Sequence, residues 1–135
     1  MQMSSKPHYS NPAKTLALFS YDWDAVELDK LHRQWPHMRA GFDLFSFPSN
    51  TRLAWFDMER FCTLASLKAR LYGASGVVSN HEQFGALSAA LLAEKMQWPG
   101  TPVDAVLACQ HKLYAREVLH SVATESNVPY LRLET

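Results

Sequence analysis

Residues 76–119 read GVVSNHEQFGALSAALLAEKMQWPGTPVDAVLACQHKLYAREVL, and the order of features in this stretch decides the fold. Gly76-Val77-Val78-Ser79 is a short β-branched run after the Gly-rich turn Gly73-Ala74-Ser75-Gly76, the pattern of a central strand in a parallel sheet. Asn80 stands where a helix N-cap belongs. Gln83, three residues on, completes the spacing of a capping box. Phe84, Leu87, Leu91 and Met96 then keep roughly helical spacing and give one apolar face. Trp98-Pro99-Gly100 stops that helix. Thr101-Pro102 restarts one, with Thr as N-cap and Pro at the first helical position. A basic, amphipathic helix from Lys112 closes the stretch. Ligands of open α/β sheets sit beyond the carboxyl ends of the strands. Asn80, His81 and Glu82 therefore stand where binding chemistry is expected.

Working outward, strand and helix alternate. Thr15-Leu16-Ala17-Leu18-Phe19-Ser20 is almost continuously apolar, as a strand in the middle of a parallel sheet has to be. Tyr21-Asp22-Trp23-Asp24 is the turn after it. Either Asp can cap a helix whose Leu28, Leu31 and Trp35 share a face. Pro36 limits that helix, because Pro in a helix interior costs about 3 kcal/mol. Gly41 is a break, and Phe42 to Phe47 reads as a second strand, closed by a polar loop at Pro48-Ser49-Asn50-Thr51. Asp57 starts a helix with Phe61, Leu64, Ala65, Leu67 and Leu71 on its periodic positions, and Gly73 ends it. Val128 to Leu133 is the best candidate for a fourth strand, as an edge strand or as a link to a following domain. Repeated strand–helix–strand units without hairpin signals imply a parallel sheet, and hence a three-layer α/β/α, Rossmann-like α/β fold with about four strands.

Composition removes several functions. The chain has 135 residues, enough for one domain with its own core. It is 47% hydrophobic and 19% charged, a globular rather than a disordered balance. Thirteen Lys and Arg offset thirteen Asp and Glu, so charge gives no reason to expect nucleic acid or an anionic membrane as partner. No apolar run is long enough to span a bilayer. Residues 1–14 lack the apolar core of a secretory signal and read as a flexible arm, and a cytoplasmic location is expected. Cys62 and Cys109 have no CxxC spacing and read as small buried hydrophobes in a reducing compartment.

Sequence motifs exclude more. Ser20-Tyr21-Asp22-Trp23 follows the first strand in place of GxGxxG, so a dinucleotide pyrophosphate has no glycine-lined approach. There is no GxxxxGK[ST], GxSxG or HExxH. The aromatic residues lie at core spacing and read as packing rather than as a base-stacking platform. Asn80-His81-Glu82-Gln83 has two readings. A helix N-terminus favours an anion, and His with Glu can hold or exchange a proton; alternatively the four residues are a cap and an acidic first turn. Lys112 and Arg116, four residues apart on one helix face with Glu117 beside Arg116, read as a solvated face.

The order strand, S-N-H-E-Q-F-G, helix ending P-G, short helix, Q-H-K-L-Y-A-R-E-V-L and a later V-P resembles the N-terminal, pre-ATP-grasp domain of ATP-grasp enzymes, with biotin carboxylase as the nearest label. The resemblance covers Leu16 to Leu133. It implies that Lys112 contacts nucleotide phosphates, and that Tyr21 and Asp22, with Asn80, His81 and Glu82, line the crevice for a small carboxylate substrate. Where the family usually has Asp before the Lys, this chain has His111. The resemblance also implies a parent ligase that joins a carboxylate to an amine or thiol through an acyl-phosphate. ATP and Mg2+ would be bound mostly by a following ATP-grasp domain, so residues 15–127 would form the pre-ATP-grasp domain, 128–135 would begin the link, and the isolated piece would be inactive. Two competing expectations are a non-catalytic module for homodimerisation or small-ligand binding, and a receiver-like domain. Asp22 and Asp24 suit the receiver, but Ser79-Asn80 stands where it needs an Asp.

Overall fold

A computed structural model describes residues 13–132. Of the expected N-terminal arm, residues 1–12 lie outside that range, as do residues 133–135 of the expected link. Three strands form one parallel sheet: β1 (Thr15–Leu18), β2 (His37–Ala40) and β3 (Gly76–Ser79), in the order β2-β1-β3. Thr15 pairs with His37 on one side and Gly76 on the other, and Leu18 with Ala40 and Ser79. β1 is buried along its whole length. A strand with a neighbour on each edge and side chains covered on both faces has to be largely apolar, which Leu-Ala-Leu supplies, and the one polar side chain, Thr15, is satisfied by the Trp35 indole.

The helices are α1 (Asp22–Leu31), α2 (Met58–Tyr72), α3 (Phe84–Met96), α4 (Val103–Gln110) and α5 (Lys112–Val122), with short 3-10 helices at Ser49–Trp55 and Thr124–Ser126. Leu16 and Leu18 pack with Ala65 and Ala69 of α2 and Leu92 of α3, and Phe19 and Leu44 complete this cluster. Burying each such Leu is worth roughly 1.5–3 kcal/mol. Ala17 and Val78, on alternate positions of their strands, instead share a groove with Leu28, Leu31 and Trp35 beside α1. α4 packs on α3, and α5 on α4.

α2 begins and ends where the sequence indicates. Asp57 accepts the N–H of Arg60 at 2.9 Å, and Gly73 takes the left-handed conformation at φ 73° as its C-cap. β3 also has its expected bounds.

Several expectations are corrected. The second strand is His37–Ala40, not Phe42 to Phe47. Residues 42–47 instead turn across the end of the sheet, where Phe42 packs edge-on against Phe19 and Asp43 gathers backbone N–H groups. α1 stops at Leu31, and the carbonyl of Leu31 accepts from Gln34 and Trp35, which frees Trp35 to donate its indole N–H to Thr15 Oγ1 at 2.9 Å. Neither Asp22 nor Asp24 caps that helix. α4 starts one residue late, at Val103, with Pro102 rather than Thr101 at the N-cap. Among the described residues there is no fourth strand, since Val128 to Arg132 pair with nothing and Leu133 lies outside them.

Candidate functional site

With β1 between β2 and β3, the strand order reverses at β1, and the loops after β1 and β3 leave the same end of the sheet. That is where open α/β sheets bind ligands. Tyr21 comes from the first loop. Its ring stacks on Trp23 with centroids 4.7 Å apart, leans on Phe45 at 5.5 Å and lies 6.4 Å from the ring of His81. Phe45 in turn lies 5.6 Å from His81. One aromatic wall therefore joins the loops after β1, β2 and β3.

Asp43 ties this wall together. It is only 4% exposed, yet every donor it needs is present. Oδ1 accepts the N–H groups of Phe45 and Ser46 at 2.8 and 2.9 Å. Oδ2 accepts the N–H of Asp22 at 3.0 Å and the Ser46 hydroxyl at 2.8 Å. Burial alone would raise its carboxyl, but these bonds outweigh it and bring the pKa down to about 2. The sequence carries a faint signal for this residue: a lone Asp in an apolar run with Ser three residues on, the spacing of a side-chain-to-backbone turn.

The loop after β3 corrects the capping expectation. Asn80 does not cap α3; its side-chain amide donates to Asp24 in the first turn of α1. Gln83 takes the N-cap position without a side-chain bond. The capping falls to His81, whose Nδ1 accepts from the N–H groups of Gln83 and Gly85 at 3.3 and 3.4 Å. Those bonds place the ring proton on Nε2. His81 is 6% exposed. Burial lowers its pKa below the usual 6.5, partly opposed by the Glu82 carboxylate. Gly85 allows this approach, since a Cβ there would collide with Ser79 Oγ and stand 2.7 Å from His81 Cβ.

Glu82 and Gln83 face the other way. They line a depression of about 660 Å³ with Phe84, Leu87, Cys109, Gln110 and Lys112. Gln110 donates its side-chain amide to the carbonyls of Glu82 and Gln83, at 3.2 and 3.0 Å, which fixes the α4 end against the β3 loop. Lys112 opens α5 just after His111, whose Nδ1 accepts the N–H of Tyr114. Cys62 is buried as expected, and burial raises its thiol, but Cys109 is exposed in this depression.

The expected residues thus form two groups on either side of the Asn80–Gln83 ridge. Tyr21 and His81 meet in the aromatic wall, and Glu82 and Lys112 meet in the depression. Asp22 contributes its backbone N–H rather than a carboxylate contact. No group of three or more His, Cys, Asp or Glu side chains among the described residues is placed to hold a metal ion. No helix among them is long and apolar enough to cross a membrane. No family model, curated protein or solved structure matches the chain.

Proposed function

We propose that this chain is the leading domain of an ATP-grasp ligase, biotin carboxylase-like in kind, and that its parallel sheet is the core of a three-layer, Rossmann-like pre-ATP-grasp fold. The parent joins a small carboxylate to an amine or thiol in the cytoplasm. It binds ATP and Mg2+ mostly through a further ATP-grasp domain, and the 135-residue piece is inactive by itself. The observation that supports this reading is the shared depression: Lys112, far along the chain, lines the same concavity as Glu82 and Gln83 beyond the carboxyl end of β3. A flexible ammonium at the edge of such a depression suits a phosphate, whose charge it meets without fixed geometry. In this reading Tyr21, Asp22, Asn80 and His81 form the substrate-side rim, and a homodimer is a further partner.

The test is thermal. ATP with Mg2+ should leave the melting temperature of the 135-residue chain unchanged and raise that of a gene product extended through the next domain. In the extended protein, Lys112→Ala should weaken nucleotide binding. An extended product that hydrolyses ATP with full activity after that substitution would remove Lys112 from the reading, and one with no ATP response would remove the reading itself.

A further inference from the structure

A second concavity lies on the other side of the ridge. The groove beside α1 has a volume of about 400 Å³, within the range of small-molecule sites. Its walls are apolar: Leu28, Leu31 and Trp35 from one side, Ala17 and Val78 from the sheet. Trp35 is fixed by its indole bond to Thr15. Asp24 and Asn80 line its end at the carboxyl ends of β1 and β3. The Asn80 amide grips the Asp24 carboxylate there, which orients the charge without neutralising it. Glu27, also in the lining, already has a cation, Lys30 at 2.7 Å. Asp24 has no cationic partner among the described residues.

An apolar trough ending in one held, uncompensated carboxylate selects its ligand by both halves. The trough takes a hydrocarbon or aryl tail, and the carboxylate takes a cationic head, because a carboxylate head would meet a like charge at the edge of a low-dielectric wall. We propose that this groove binds a primary amine carrying an apolar tail, with the ammonium on Asp24 and the tail between Leu28, Leu31, Trp35 and Val78. The site is separate from the Lys112 depression, and the proposal does not depend on the ligase reading.

Three probes with one tail and different heads test it on the chain alone, without nucleotide: 4-phenylbutylamine, 4-phenylbutanol and 4-phenylbutyrate. Calorimetry should find the amine bound about tenfold tighter than the alcohol and the acid weakest, with amide shifts on NMR at Ala17, Val78 and Asn80. Asp24→Asn, an isosteric change outside the core, should bring amine and alcohol to parity. Val78→Phe should fill the trough and weaken all three; if that variant does not fold, the Asp24→Asn comparison still decides. The proposal is overturned if the acid binds as tightly as the amine, if Asp24→Asn leaves the preference intact, if no probe binds, if the shifts lie outside the groove, or if sedimentation shows a dimer that buries Val78.

Discussion

Asp43 Oδ2 accepts the backbone N–H of Asp22 at 3.0 Å, so a carboxylate from the loop after β2 caps a helix that starts 21 residues earlier in the chain. With its three other bonds, this one side chain fixes the loops after β1 and β2 to each other. Asp43→Ala leaves the N–H groups of Phe45, Ser46 and Asp22 without their acceptor, and hydrogen bonds to a charged group are worth about 1.5–3 kcal/mol each. The expected loss is about 3 kcal/mol in urea unfolding, larger than for Asp57→Ala, where a single exposed cap bond at about 1 kcal/mol is removed.

The same residue sets an acid limb. The folded carboxyl titrates at about 2 and the unfolded one at the ordinary 3.8. The stabilisation is therefore complete above about pH 4 and is lost as pH falls toward 2. Urea midpoints measured between pH 5 and pH 2 should fall in the native chain, and the fall should be visibly shallower in Asp43→Ala.

His81 acts at milder pH. Burial holds its folded pKa below 6.5, so the unfolded chain binds the proton more readily. Its contribution is complete above pH 6.5 and declines as pH falls through that value and below. His81→Asn keeps a side-chain acceptor for the Gln83 and Gly85 amides but cannot titrate. That variant should flatten the stability profile between pH 7 and pH 5, and a His81 proton titration by NMR should show the lowered pKa directly.

Gly85→Ala tests the close contact of α3 with the end of β3. In an exposed helix the change would stabilise, since Ala is the better helix former by about 1 kcal/mol. Here the new methyl meets Ser79 Oγ, which already bonds the Leu18 carbonyl, and the Cβ of a buried His81. Overpacking of this kind costs about 1–3 kcal/mol, so the melting temperature should fall rather than rise.

The elements legible in the sequence are those whose signals are local. Gly76–Ser79 is bounded by composition, and α2 by a capping Asp and a left-handed Gly; the first strand starts at Thr15 as expected but ends at Leu18 rather than Ser20, because Phe19 takes a positive φ of 53°. β2 was hidden because His37-Met38-Arg39-Ala40 carries no strand pattern; backbone pairing to β1 selects it, while the stronger-looking Phe42–Phe47 supplies aromatic side chains to the sheet end. The Asn80 capping box failed for a similar reason. Spacing within a loop does not reveal Asp24, 56 residues away, which takes the Asn80 side chain and leaves the helix start to His81. The meeting of Glu82 with Lys112 follows from α4 packing on α3, and no local period encodes it.

The position of β1 has a consequence for how the protein is made. Of these three strands, the first to be synthesised is the one both others need, so it waits. Its first edge gains a partner only when residue 40 has emerged, and its second only after residue 79. Until then a largely apolar tetrapeptide, buried in the finished molecule, has to travel uncovered. Long-range pairing of this kind is slow and exposes the nascent chain to misassociation, so the growing polypeptide is most vulnerable between the synthesis of residue 15 and that of residue 79.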